Sequence, residues 1–215
     1  KYLKPIYEPY QLNKYGLNTS YSTEIIYITK NNFANNCPNL VKHLDKFKKI
    51  MEDRRENKNG KLNYYHLHWP RDEKFFKVGP KILSPRKCEQ PTFVYTENET
   101  YVMMAMNVIK SKKINLKYLT ALLNSKLIIF WLRHRGKMQG SNFQIDKEPL
   151  LNLPILKAEN ELSESIIEKM NKILSTKKSN SQSDTSQLEK EIDEMVYGLY
   201  GLSEKEIKIM EKIDK

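Results

Sequence analysis

Residues 175–186 read Ser-Thr-Lys-Lys-Ser-Asn-Ser-Gln-Ser-Asp-Thr-Ser, twelve positions without one large apolar side chain. A stretch with nothing to bury cannot join a packed core, so it divides the apolar residues of this region into two sets. Leu162, Ile166, Ile167, Met170, Ile173 and Leu174 lie before it; Leu188, Ile192, Met195, Val196 and Leu199 follow it. Each set recurs at helical spacing on one face. We expect a helix over residues 160–175, a flexible linker over 176–186 and a second helix over 187–200. Ser186 with Glu189 has the spacing of a capping box opening that helix, and Gly201 is placed to end it. Ser203 with Glu206 repeats the signature for a last helix over 203–213. Residues 157–215 then form a helical tail that either folds back on the chain or packs against a partner, helix-mediated self-association included.

Residues 1–156 have a different texture. Short runs rich in β-branched and aromatic residues, at 24–29, 81–84, 92–96 and 101–106, read as strands, with Glu97-Asn98-Glu99 joining the last two into a hairpin. Between the first two lies a helical pattern over 39–55 with a basic outer side, and a second helix is expected over about 115–135, apolar on nearly all faces and so buried. The expected fold class is α/β (α+β), with a mixed sheet and a buried helix in 1–156 followed by the helical tail.

A chain of 215 residues can bury a core without metals or disulfides. Its two cysteines, Cys37 and Cys88, have no paired framework and read as thiols of a reducing cytoplasm. The most apolar run, 116–132, is interrupted by Lys117, Asn124, Ser125 and Lys126, so no membrane span is expected. The sequence opens on Lys1 rather than Met, from which we expect a fragment of a longer polypeptide with further functions upstream.

Charge separates the same two regions. Residues 1–156 hold 27 Lys and Arg against 13 Asp and Glu, and residues 157–215 hold 10 against 13. A basic excess confined to one region is the electrostatic footprint of a polyphosphate partner, since each cation that neutralises a phosphate releases counterions. A Lys-, Asn- and Ile-rich composition of the kind AT-rich genomes encode would give similar charge.

The motifs of several chemistries are missing: no Gly-rich dinucleotide fingerprint, no phosphate-cradling Gly-Lys-Ser/Thr loop, no Gly-x-Ser-x-Gly elbow and no Asn-Pro-Pro-Tyr base-holding motif. No catalytic residue is assigned. Asp45-Lys46 and Asp72-Glu73-Lys74 carry the acid–lysine pairing of a metal-dependent nuclease, but in charge-rich contexts where it arises by chance. A fragment with its own nuclease centre is the alternative reading. His66 and His68 alternate and could meet Cys37 or Cys88 at a metal; without a Cys-x-x-Cys spacing, hydrogen-bonding histidines are the simpler account, and no metal ligand is assigned.

Three groups of long donors at element ends fit double-stranded DNA: Arg54, Arg55 and Lys61 after the basic helix, Arg71 and Lys74 after an aromatic cluster, and Arg86 with Lys87 after the 81–84 strand. The preferred recognition segment is a glycine-flanked loop after the buried helix, carrying Arg133, Arg135, Lys137, Gln139, Ser141, Asn142 and Gln144. Arg reads guanine, Asn and Gln read adenine, and Lys and Ser position phosphate. For any single residue, a solvated surface loop explains the same composition.

The order of Asn39-Leu-Val-Lys-His-Leu-Asp-Lys-Phe-Lys-Lys-Ile50, Arg54-Arg55, Tyr65-His-Leu-His-Trp-Pro-Arg-Asp72, Lys81-Ile-Leu-Ser-Pro-Arg86, Leu119-Thr-Ala-Leu-Leu-Asn-Ser-Lys-Leu127 and Leu151-Asn-Leu-Pro-Ile155 resembles the TaqI-like C-terminal specificity domain. That target-recognition domain belongs to type IIG restriction–modification enzymes and adenine-N6 DNA methyltransferases, with kinship to the specificity subunits of type I systems. The tail Leu188-Glu-Lys-Glu-Ile-Asp-Glu-Met-Val-Tyr-Gly-Leu-Tyr-Gly-Leu202 is similar to their helical end. The resemblance implies a division of labour: this region selects the DNA sequence, while an upstream methyltransferase domain uses S-adenosylmethionine, and a nuclease domain, where a member has one, is where Mg would be expected. No cofactor is expected within this chain. An assembly or specificity subunit of a type I-like system is a further alternative.

Overall fold

The computed structural model describes residues 2–19, 23–32 and 37–212. The first part of the chain holds strands β1 (Leu3–Tyr7), β2 (Leu12–Asn13), β3 (Gly16–Leu17) and β4 (Thr23–Ile26), then short helices α1 (Pro38–Asp45), α2 (Lys48–Glu52) and α3 (Arg55–Lys58). Strands β5 (Lys81–Pro85), β6 (Lys87–Cys88), β7 (Val94–Thr96), β8 (Tyr101–Val102) and β9 (Met106–Ile109) follow. Next come helices α4 (Leu116–Leu123) and α5 (Lys126–Arg135), strands β10 (Lys137–Gln139) and β11 (Asn142–Gln144), and helix α6 (Lys147–Leu151). The tail is α7 (Asn160–Ser179), α8 (Ser186–Leu199) and α9 (Glu204–Lys212). The α+β class expected from the sequence is what the chain adopts.

Strand β5 is buried from Lys81 through Pro85 because it is central, antiparallel to both β7 and β9. Strand β1 is central to a mixed sheet, antiparallel to β4 and parallel to β8. Residues 92–96 and 101–106 therefore do not form the expected hairpin. The connection between them is tied elsewhere: Gly79 N donates to Glu97 O, Thr100 N donates to Phe76 O, and the buried Lys81 ammonium donates to the carbonyls of Lys77, Gly79 and Asn98. These bonds hold residues 97–100 against 76–81 and send β8 to β1. Burial brings the Lys81 pKa down to about 8.

Both long helices expected in this region are broken. Residues 39–55 form α1, α2 and α3 because the pattern lacks a continuous buried side: Leu44 is buried, but α2 buries nothing and Ile50 is exposed. Segments this short are marginal helices in water alone, and partly buried Leu40 and Met51 pack α1 and α2 against the cluster of Tyr2, Ile28 and Leu44. Residues 115–135 break at Asn124 and Ser125. The Asn124 amide donates to Phe93 O and accepts from Phe93 N, acting as a strand neighbour to that residue. The Ser125 hydroxyl caps the start of α5, accepting from Ile128 N.

Helix α7 extends to Ser179, beyond the expected 175, and shortens the linker. Lys177 and Lys178 complement its C-terminal dipole, and Lys177 Nζ donates to Ser183 O at 2.8 Å, holding the turn. The residue before α8 that pairs with Glu189 is Thr185, its hydroxyl donating at 2.6 Å, rather than Ser186. The Ser203–Glu206 box forms as expected, with Glu206 Oε2 accepting from both the amide and hydroxyl of Ser203. Ile213, the last residue of the expected final helix, lies outside the described residues.

The apolar faces of the tail are used within the chain. Ile166, Met170 and Ile173 of α7 and Ile192 and Val196 of α8 share one core with Tyr118, Ala121 and Leu122 of α4. Asp193 of α8 reaches the first turn of α5, where Oδ1 accepts from Lys126 N at 2.9 Å. Two tyrosines bind the crossing segment: Tyr118 donates to Leu156 O, and Tyr200 donates to Pro154 O. Among the described residues no helix is long and apolar enough to cross a membrane.

Candidate nucleic-acid interface

The segment expected as a recognition loop is the end of α5 followed by a β-hairpin. Gly136 closes the helix; a Cβ there would stand 2.3 Å from Leu132 O, so no other residue fits this approach. Strand β10 then pairs with β11, Lys137 opposite Gln144 and Gln139 opposite Asn142, around a Gly140-Ser141 turn. Gly140 sits at φ +62° while Ser141 does not enter positive φ, as a type II′ turn requires. Strand β6 adds to the other edge of β11, Lys87 opposite Gln144 and Cys88 opposite Phe143.

Alternation sorts this sheet into two faces. Phe143 is buried, and Met138 and Cys88 pack with it on the core that contains Ile128 and Leu132. Burial pushes the Cys88 thiol up to about 11, keeping it protonated. The opposite face carries Lys87, Lys137, Gln139, Asn142 and Gln144. Five polar side chains from three strands thus share one surface on an apolar floor.

Beside that face stands Arg86. Its backbone links two neighbours, Arg86 N donating to Ala105 O and Arg86 O accepting from Ile145 N. Its guanidinium donates to Asp146 Oδ1 from Nε at 3.1 Å and from Nη2 at 2.5 Å, and this partner holds the Asp146 carboxyl below the usual range. Gln144 Nε2 donates to the other oxygen of Asp146 at 2.7 Å. Arg86, Lys87, Gln139, Gln144 and Asp146, with Met104 and Ala105, line a shallow depression of about 160 Å³. Exposed Met103 and Met104 precede its Ala105 edge. Arg71 lies close enough for the two guanidiniums to interact; burial first, then the Arg86 charge, lowers its pKa, and Arg71 Nη2 donates to Met106 O.

The other sequence candidates are dispersed. Arg54 donates to the carbonyls of Met51 and Tyr64, joining α2 to the segment beyond α3. Arg55 is exposed, and Lys61 lines a separate cavity. Lys74 pairs with Asp72 at 2.8 Å, and Asp72 also accepts from Lys74 N. Arg133 places its guanidinium 5.2 Å from the Phe143 ring centre, on the residue that faces the core, while Arg135 is exposed at the helix end. Asp45 accepts from the Tyr64 hydroxyl. His66 Nδ1 accepts from Asn63 N, and His68 stacks on Trp69. Among the described residues no three His, Cys, Asp or Glu side chains gather as a metal site.

Sequence reasoning missed Asp146 as the partner that orients Arg86. The signal was its position two residues after Gln144, which puts both on one face of an extended segment.

Residues 4–155 match the TaqI-like C-terminal specificity domain. The chain is 25% identical over 155 residues to the type II methyltransferase M.HincII of Haemophilus influenzae, covering 65% of this chain and 31% of that protein. It is 32% identical over 92 residues to the type II methyltransferase M.HindII of the same species, covering 40% and 17%. Among solved structures, it superposes on the type IIL restriction–modification enzyme MmeI in complex with DNA at a TM-score of 0.69 and 12% identity, covering 94% of this chain and 28% of that one. The chain spans less than a third of the length of each of these proteins.

Proposed function

The chain belongs to the TaqI-like C-terminal specificity domain family, and from that premise we propose that it reads a specific sequence in duplex DNA through the polar face of β6, β10 and β11. The observation that carries this reading is the grouping of Lys87, Gln139, Asn142 and Gln144 with the Asp146-held Arg86 on one surface. The β10–β11 hairpin, which carries Gln139, Asn142 and Gln144, is a two-stranded ribbon of the kind that fits the major groove, where Gln and Asn donate to and accept from adenine and Arg donates to guanine. Lys87, Lys137 and Ser141 at the rim position phosphates, and the basic balance of residues 1–156 supplies sequence-independent attraction. Half-buried Arg71 lies near Arg86 and adds positive charge beside this face.

In this reading the domain directs a methyltransferase part, as the similarity to M.HincII and M.HindII suggests. That part binds S-adenosylmethionine and transfers its methyl group to adenine N6; any nuclease, with its Mg, resides outside residues 1–215. The assembly works in the bacterial cytoplasm. Asp45 and Asp72 serve tyrosine and lysine partners here, which weighs against the alternative of a nuclease centre in this chain. Packing of the tail on α4 likewise favours an intramolecular role over a self-association device.

Selection of bound sequences from a randomised duplex pool tests the reading. Gln139→Ala and Arg86→Ala should each relax preference at one position of the recovered site. An unchanged consensus in both variants would move recognition off this face.

A further inference from the structure

A second cavity, of about 330 Å³, opens between α3, the segment after β4 and the turn following Leu67. That volume lies in the range of small-molecule sites. Its wall includes Glu56, whose side chain is only 8% exposed. Among the described residues no hydrogen bond is donated to this carboxylate; the basic side chains nearest it are His68, Nε2 at 3.5 Å, and the exposed Arg55, Nε at 4.0 Å. A carboxylate oxygen is an acceptor, and one largely out of water with no hydrogen-bond donor on it leaves that capacity open to a ligand that supplies donors.

The rest of the cavity defines that ligand. Trp69 is 70% exposed, with His68 stacked on it at 5.7 Å and 29°, and its backbone is held at φ +55°. A non-glycine residue in that region is strained, a condition that concentrates at functional positions. Leu62 and Leu67 form an apolar wall, while exposed Lys30 and Lys61 line the cavity without an ion pair among the described residues. An acceptor at depth, an aromatic platform and two cations match a nucleotide.

We infer that this cavity takes an unpaired guanine base, its N1–H and N2–H edge on Glu56, its ring on Trp69 and its phosphate near Lys30 and Lys61. Guanine alone among the DNA bases presents two adjacent N–H donors. Adenine and cytosine set a ring-nitrogen acceptor beside the amino group, which would face the carboxylate lone pairs, and thymine offers one N–H between two carbonyls. The same edge comes from a free guanine nucleotide or from a guanine turned out of a DNA strand.

Calorimetric titration of the chain with GMP, IMP and AMP, and with oligothymidylates holding one internal dG or none, tests this. GMP should bind about tenfold tighter than IMP, which lacks the 2-amino group, and than AMP. Glu56→Gln should bring GMP to the IMP level. Trp69→Ala, at a position 70% exposed and so outside the core, should weaken GMP about tenfold and gives a readout even if the Glu56 variant fails to fold. A preference for the dG strand over GMP assigns the site to DNA; the reverse order assigns it to the free nucleotide. Equal affinities for GMP, IMP and AMP, no GMP binding, or unchanged GMP affinity in Trp69→Ala would overturn the assignment. The inference stands apart from the sheet-face reading: Gln139→Ala should leave GMP affinity unchanged, and a failed GMP titration leaves duplex selection untouched.

Discussion

Along the seam between α4 and the tail, side chains from three helices are fully buried, and the polar groups at its edge have partners: Tyr118, Tyr200 and Asp193 each join backbone across the boundary. On the β6–β10–β11 face, apolar residues point only to the floor, and Lys87, Gln139 and Lys137 extend from the other side with no hydrogen bond or ion pair among the described residues. The seam commits its polar groups to the fold, while the face, where Gln144 is bonded to Asp146, keeps Lys87, Lys137 and Gln139 for something outside it. Substitutions should therefore divide cleanly, those in the seam changing stability and those on the face changing binding.

The largest effect should come from Ile166→Ala. Ile166 is 0% exposed in the seam core, and its truncation should lower unfolding free energy by about 2–5 kcal/mol in urea titration. A loss under about 1 kcal/mol would mean that the seam is peripheral and would break the contrast. Asn124→Ala comes next. It leaves the amide and carbonyl of buried Phe93 unpaired, for a loss of about 2–3 kcal/mol by the same measurement.

Asp193 sharpens the comparison through pH. Burial raises its pKa from 3.8 to about 6, against the amide of Lys126, which lowers it. Because the folded value lies above the unfolded one, the protonated form favours the fold. This contribution is fully present below about pH 4 and is lost as pH rises through about 6. Asp193→Asn keeps an acceptor for Lys126 N and removes the buried charge. It should raise stability at pH 8 by on the order of 2 kcal/mol and flatten the profile between those pH values. Urea melts across that range check it; an unchanged slope would mean that water reaches the carboxylate.

The tail helices were legible because their information is local: a 3.6-residue period and the Ser203–Glu206 spacing need no partner to be read. Strand partners were not legible, since β8 reaches β1 across ninety-odd residues while its nearer neighbour β7 is claimed by β5. The break at Asn124 depends on Phe93, thirty-one positions away, and no period reveals such a bond. Residues 137–144 did carry a hairpin signal, polar–apolar alternation at Met138 and Phe143 about a Gly140-Ser141 pair, masked by the density of cations before it. At the site, the sequence supplied Arg86, Lys87, Gln139 and Gln144 but not their union on one face, which is set by β6 joining β11. It also grouped with them Arg54 and Arg133, whose guanidiniums lie on backbone carbonyls and on the Phe143 ring. Long cations look alike in a sequence; their engagement is decided by what packs beside them.

The smallest effect on stability and the sharpest on function should come from Gln139 and Lys87. Gln139 is exposed on β10 and has no intramolecular partner among the described residues, so Gln139→Ala should change unfolding free energy by less than about 0.5 kcal/mol. Removing a hydrogen-bonded base reader from the same position costs about 1–3 kcal/mol of discrimination, which selected-sequence binding would read as relaxed preference at one base pair. Lys87→Ala should be equally silent in the melt but should differ in binding. Removing a cation that touches only phosphate weakens all sequences alike and lowers the salt slope of log affinity by about one. The pair discriminates within the face itself: if Gln139→Ala also reduced the salt slope without changing the consensus, the polar face would be a positioning surface, and sequence reading would belong to another part of the chain.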